Sequence, residues 1–179
     1  MGKLDRYKID FKGMDSGGQT YEWHIDDDFF VDVQSHDIQG GNVDVCLKVK
    51  PVGDAFQLLF HFEGGVRVSC DRCLELMTLP VSANREVKAK WGDDYEDDGD
   101  EITISEGTGE VNVAWNIYEF ISLEVPMRHV HPEGECSGEV DELLNQYETS
   151  ELIEEKDDEG SALVDERWSG LKKILDNNK

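Results

Sequence analysis

Apolar and polar residues alternate through much of the first half of the chain. Val43, Val45, Leu47 and Val49 stand against Asp44, Lys48 and Lys50, and Phe56, Leu58, Phe60 and Phe62 stand against Gln57, His61 and Glu63. A period of two puts one set of side chains on one face, so both runs predict half-buried strands. Shorter alternations at Tyr7, Ile9 and Phe11, at Tyr21 and Trp23, and at Phe29, Val31 and Val33 predict further strands. Gly64-Gly65 follows the phenylalanine run, and a glycine pair between alternating runs predicts a hairpin turn. Val66, Val68 and Cys70 then share the inward parity of the returning strand, and 74–91 regains strand character with Val87, Ala89 and Trp91 on one side.

The pattern breaks at 92–101, GDDYEDDGDE, which offers no core residue and predicts an exposed acidic loop, extended over 92–109. Its acids lack the ligand order of an EF-hand calcium loop. Beyond it, Trp115, Tyr118, Ile121 and Val125 recur at helical spacing and predict a core-facing helix over 113–124, capped by Asn112 and stopped by Pro126. A turn-rich loop with His129, His131 and Cys136 follows, then a short helix over 139–148.

Seven acids and one lysine in the thirteen residues of 148–160 predict a flexible linker. Residues 163–179 are amphipathic, with Trp168, Leu171 and Leu175 on one face and Lys172 and Lys173 beside them. Such a short helix is not stable alone and must dock on the domain or on a partner. The expected organisation is one domain over 1–147, an acidic linker over 148–162 and a terminal amphipathic segment over 163–179. The fold class is α+β, a mostly antiparallel sheet, open or closed into a barrel, packed with one or two helices.

Charge narrows the choice of partners. With 17 Lys+Arg against 41 Asp+Glu, the net charge is −24, which repels phosphate backbones and argues against extended nucleic-acid binding. A basic protein is the better match, since opposite potentials speed encounter and set register. The start, MGKLDRYKIDF, lacks the apolar core of a signal peptide. No run approaches the roughly 20 apolar residues of a membrane helix, so a cytoplasmic protein with reduced thiols is expected.

Among four cysteines, Cys70 and Cys73 form the only Cys-x-x-Cys pair. Zinc needs four sulfur or imidazole ligands, and Cys136 with His131 could complete a Cys3His set, with His129 as a spare. Reduced, metal-free thiols are the competing reading. A thiol- or metal-dependent enzyme centred on Cys70 and Cys73 is a further alternative. Redox catalysis is disfavoured because the pair joins two strands instead of opening a helix. Neither a nucleophile elbow nor a phosphate-cradling loop is present, so a non-enzyme is expected. Cys46 faces away from the inward side chains of its strand and reads as a bystander.

Three local patterns stand out: Cys70-Asp-Arg-Cys73-Leu74 after a valine-rich strand, Tyr118-Glu119 through Pro126 before the loop with His131 and Cys136, and Asp165-Glu-Arg167-Trp168-Ser-Gly-Leu171-Lys172. In their order and separation they resemble the YceD family of proteins tied to accumulation of large-subunit ribosomal RNA. Glu166 stands where the family carries proline, and no cysteine lies between Gly138 and Tyr147. The resemblance implies a role in 23S ribosomal RNA accumulation and ribosome assembly. It points to a basic ribosomal protein or the pre-ribosomal large subunit as partner, with Arg167, Trp168, Leu171, Lys172 and Leu175 as candidate partner-binding residues.

Overall fold

Three long strands carry the alternating pattern, and everything else packs around them. The structure, a computed structural model, describes residues 2–132, 134–136, Val140 and Glu142. The chain divides into two units, Met1–Asp141 and Glu142–Lys179, and the elements described here belong to the first. Of the helix expected over 139–148 only Val140 and Glu142 are described, both helical; the linker and the amphipathic segment with Arg167, Trp168, Leu171, Lys172 and Leu175 lie outside the described residues.

Strands β1 (Lys8–Asp10), β2 (Gln19–Ile25), β3 (Ile38–Val52), β4 (Ala55–Ser69), β5 (Leu76–Gly92), β6 (Glu96–Asp97), β7 (Glu101–Ser105) and β8 (Glu110–Asn112) are joined by helices α1 (Asp27–Asp32) and α2 (Ala114–Leu123). Six strands form one sheet in the order β2-β3-β4-β5-β7-β6, and β1 pairs with β8 separately. All pairings are antiparallel except β5 with β7. The sheet ends at β2 and β6 and does not close into a barrel.

The register realises the sequence parity. Val45 faces Phe62, Leu47 faces Phe60 and Val49 faces Leu58, and all six side chains are buried. Cys46, His61 and Asn84 line up on the opposite, uncovered face. The core lies between the sheet's inner face and a layer made of α1, α2 and the β1–β8 pair. There Phe120 of α2 packs edge-on against Phe60 and Phe62 at 5.3 and 6.1 Å.

Four local expectations are corrected. The first concerns Phe29, Val31 and Val33, which belong to a short helix and its cap, not to a strand. Asp26 caps it by accepting the Phe29 N–H, and Asp27 and Asp28 place negative charge in its first turn, where the helix dipole favours it. The neighbours Phe29 and Phe30 are both buried while Val31 is 68% exposed, a distribution that strand alternation cannot produce.

Gly64-Gly65 is not a turn either. The strand β4 continues through it, still paired with β3 and β5, and this is why Val66, Val68 and Cys70 keep the inward parity. A side chain at Gly64 would bring its Cβ to 2.1 Å from the Asn42 carbonyl oxygen, so the glycine serves a close backbone approach. The β3–β4 turn falls at Gly53-Asp54, where Gly53 takes φ 64°.

The third correction lies within 92–109, where a loop was expected and the structure has β6 and β7. Ile102 and Ile104 are buried, with Ala89 and Trp91 opposite them in the parallel pairing. The acids of this stretch sit on the sheet margin, where the backbone pairs, Glu101 meets Lys90, and Asp97 accepts from Asn116 at 2.8 Å.

In α2, finally, the buried face is Ala114, Asn116, Ile117, Phe120 and Ile121, and Trp115 is 53% exposed. The expected stripe is rotated, because the adjacent apolar pairs around Ile117 and Phe120 allow more than one face to be read as core. Asn112 does bind the helix start, accepting the Ala114 N–H at 2.9 Å, although Val113 occupies the cap.

Candidate metal centre

The β4–β5 connection is a tight turn. Cys70 N–H donates to Glu75 O at 2.8 Å, and Leu74 N–H donates to Cys70 O at 2.9 Å. Leu74 takes φ 63°, a left-handed conformation that costs a non-glycine residue roughly 1–2 kcal/mol. That turn directs the Arg72 N–H at Cys70 Sγ, 3.4 Å away, and swings Cys73 round to the same side.

The second half of the site arrives from the chain after α2. Asp71 N–H donates to His129 O at 2.9 Å, and His129 N–H donates back to the Asp71 carboxylate at 2.7 Å. The His129 ring is also held, its Nδ1 donating to Pro126 O at 3.0 Å, so it supports the loop and stands outside the cluster. These bonds bring His131 and Cys136 over the turn.

Cys70, Cys73, His131 and Cys136 then offer one ligand atom each, all within 4.8 Å of one another. Cys73 Sγ lies 3.3 Å from His131 Nδ1, Cys136 Sγ 3.9 Å from the same nitrogen, and Cys70 Sγ 4.0 Å from Cys136 Sγ. A tetrahedral ion with sulfur ligands at about 2.3 Å sets those sulfurs about 3.8 Å apart, so the donor set fits one. The three cysteines are buried and free, packed with Met77, Val130 and Val140. They could bind a metal ion.

The thiols differ in character. Burial works against ionisation of Cys70, but the backbone N–H groups of Cys73, His131 and Arg72, with the Cys73 thiol, outweigh it and bring its pKa down to about 6. Burial pushes Cys136 up to about 11, helped by the neighbouring Cys73 and Cys70 sulfurs. A pocket that already stabilises one thiolate and crowds another favours a bound cation, which relieves the repulsion between sulfurs.

All four ligand positions named from the sequence therefore meet. Cys46 is not among them and sits half-buried on the uncovered sheet face. Sequence reasoning passed over Asp71 as a partner of His129, and nothing in spacing alone signals that link between segments 58 residues apart.

The sheet and cluster define an α+β domain whose Cys-x-x-Cys turn and post-helix loop share one candidate metal centre. The chain belongs to the YceD family: the family described as "Large ribosomal RNA subunit accumulation protein YceD" matches residues 58–175, more than half of the chain and inclusive of all four cluster residues. Neither a curated protein nor a solved structure matches the chain. Among the described residues no helix is long and apolar enough to cross a membrane.

Proposed function

We propose that this chain is a non-enzymatic factor supporting large-subunit (23S) ribosomal RNA accumulation and ribosome assembly, acting by binding a basic ribosomal protein or the assembling particle. Family membership carries this reading. The net charge of −24 supports the choice of a basic partner, which an acidic surface attracts over distance. The partner-binding role of Arg167, Trp168, Leu171, Lys172 and Leu175 belongs to the same proposal.

Zinc is the proposed occupant of the cluster, held by Cys70, Cys73, His131 and Cys136. Three thiolates and an imidazole suit zinc among the available divalent ions. With all four positions taken by protein, the ion would act as a cross-link between the β4–β5 turn and the loop after α2. Cys70 is fully buried, so a reactive thiol there would have no route to a substrate, and this supports a structural site over thiol chemistry.

The experiment is depletion of the protein, with mature and precursor large-subunit ribosomal RNA measured against small-subunit RNA. A selective fall in the large-subunit species is expected. Unchanged ratios would overturn the assembly role.

A further inference from the structure

An open cleft of about 430 Å³ lies beside the metal centre, between the start of β3, the Cys70–Cys73 turn and the C-terminal end of α2. Asp37, Gln39, Asp71, Ser122, Met127 and His129 are among its lining residues, and among the described residues no lysine or arginine lines it. We infer that this cleft receives a lysine- or arginine-bearing amphipathic segment of the basic partner. The inference rests on the proposed function and gives that partner a docking place on the sheet domain, apart from the amphipathic terminal segment.

Three features carry it. Among the described residues Asp37 forms no ion pair, and the Asp71 carboxylate meets only the His129 N–H and ring. Two carboxylates with no lysine or arginine partner among the described residues, in a shared concavity, favour a positively charged guest and repel an anionic one. The second feature is Gln39, which lines the cleft and donates its amide N–H to Ser69 Oγ at 2.6 Å, leaving its amide oxygen to accept from a guanidinium or ammonium donor.

The rim supplies the third. Met127 is fully exposed at 103% and lines the cleft together with Val125 and Pro126, so an apolar rim borders the two carboxylates. Methionine adapts to varied apolar partners, and exposed apolar ledges next to charge are how interfaces combine anchoring with orientation. A neutral small molecule would cover the carboxylates without pairing them, at a desolvation cost. A basic segment with apolar neighbours satisfies both parts.

The test has two arms on the full chain, wild type and the double variant Asp37→Asn/Met127→Ser. Both replaced side chains are exposed and neither is a cluster ligand, and an unchanged melting temperature checks the fold. In the first arm the probe is a nine-residue peptide alternating arginine and leucine, with a glutamate-leucine peptide as control; calorimetry gives its affinity for both chains, and in wild type the contact is also followed by the Met127 methyl resonance. The arginine peptide is expected to shift that resonance saturably, and the double variant to weaken its binding about tenfold. Equal affinity for both chains, or no shift at Met127, overturns the cleft assignment.

In the second arm the purified basic proteins of the large subunit are titrated one by one. At least one is expected to bind wild type, with the double variant again weaker. If none binds wild type, the proposed partner class falls even where the first arm succeeds. If one binds both chains equally, the cleft assignment falls and the partner class stands.

Discussion

Cys73 Sγ sits 3.3 Å from His131 Nδ1, although 58 residues separate the two in sequence. Nothing covalent holds them there. What does is the exchange of hydrogen bonds between Asp71 and His129, which ties the β4–β5 turn to the loop after α2. A metal ion shared by the two segments would convert that weak link into a strong one.

The purified protein is accordingly expected to carry one zinc ion per chain by elemental analysis. Cys73→Ser or His131→Ala should lose it, and either change or chelation should lower the melting temperature by about 5 °C or more. Full retention of zinc in both variants would exclude these two residues as ligands.

Phe120 is the anchor of α2 on the sheet, wedged against Phe60 and Phe62. Phe120→Ala should destabilise the domain by about 3–5 kcal/mol, read from urea unfolding. Trp115→Ala, on the exposed side of the same helix, should cost much less. Equal losses would mean that the helix buries a different face.

Gly64→Ala should cost about 1–3 kcal/mol, because its Cβ would meet the Asn42 carbonyl oxygen at 2.1 Å and the paired strands must give way. Gly17→Ala, which meets nothing within 4 Å, should change stability by less than about 0.5 kcal/mol. A neutral Gly64→Ala would show that the continuous β4 strand is wrong at this point.

Asp27 ties the start of α1 to the sheet, accepting from Arg67 at 2.6 Å and from the Gly41 N–H at 3.0 Å. The Arg67 hydrogen bond, then that of Gly41, hold its carboxyl below the ordinary 3.8. A depressed folded-state value means that the charged form stabilises the fold above the unfolded value, and that this contribution is lost as pH falls through the folded value. The stability difference between wild type and Asp27→Asn should therefore be constant above about pH 5 and shrink in more acid solution. Because the pair is substantially exposed, the effect should be small and weaken with salt. A difference that grows on acidification would contradict the assignment.

The sequence by itself determined the strands whose two faces differ in polarity. The inward positions from Val43 to Val49 and from Leu58 to Phe62 are buried as alternation requires, because burying one face forces period two. It also named the four cluster residues, since only cysteine and histidine in short-spaced groups suit such a site, and the motifs carried the family. It failed where one local signal serves two geometries. The glycine pair marks a close strand approach as well as a turn, and three aspartates before Phe29-Phe30 read as strand until the cap and dipole are considered. The five residues Glu101–Ser105 alternated visibly, but the acids around them masked the strand.

Only the tertiary structure decided that Cys70, Cys73, His131 and Cys136 converge, which face of α2 is buried, and that Asp37, Asp71 and Met127 share a cleft. Spacing along a chain fixes which residues can share a face within one element. The meeting of a strand turn with a loop that follows a distant helix depends on how those elements pack, and no local pattern encodes it.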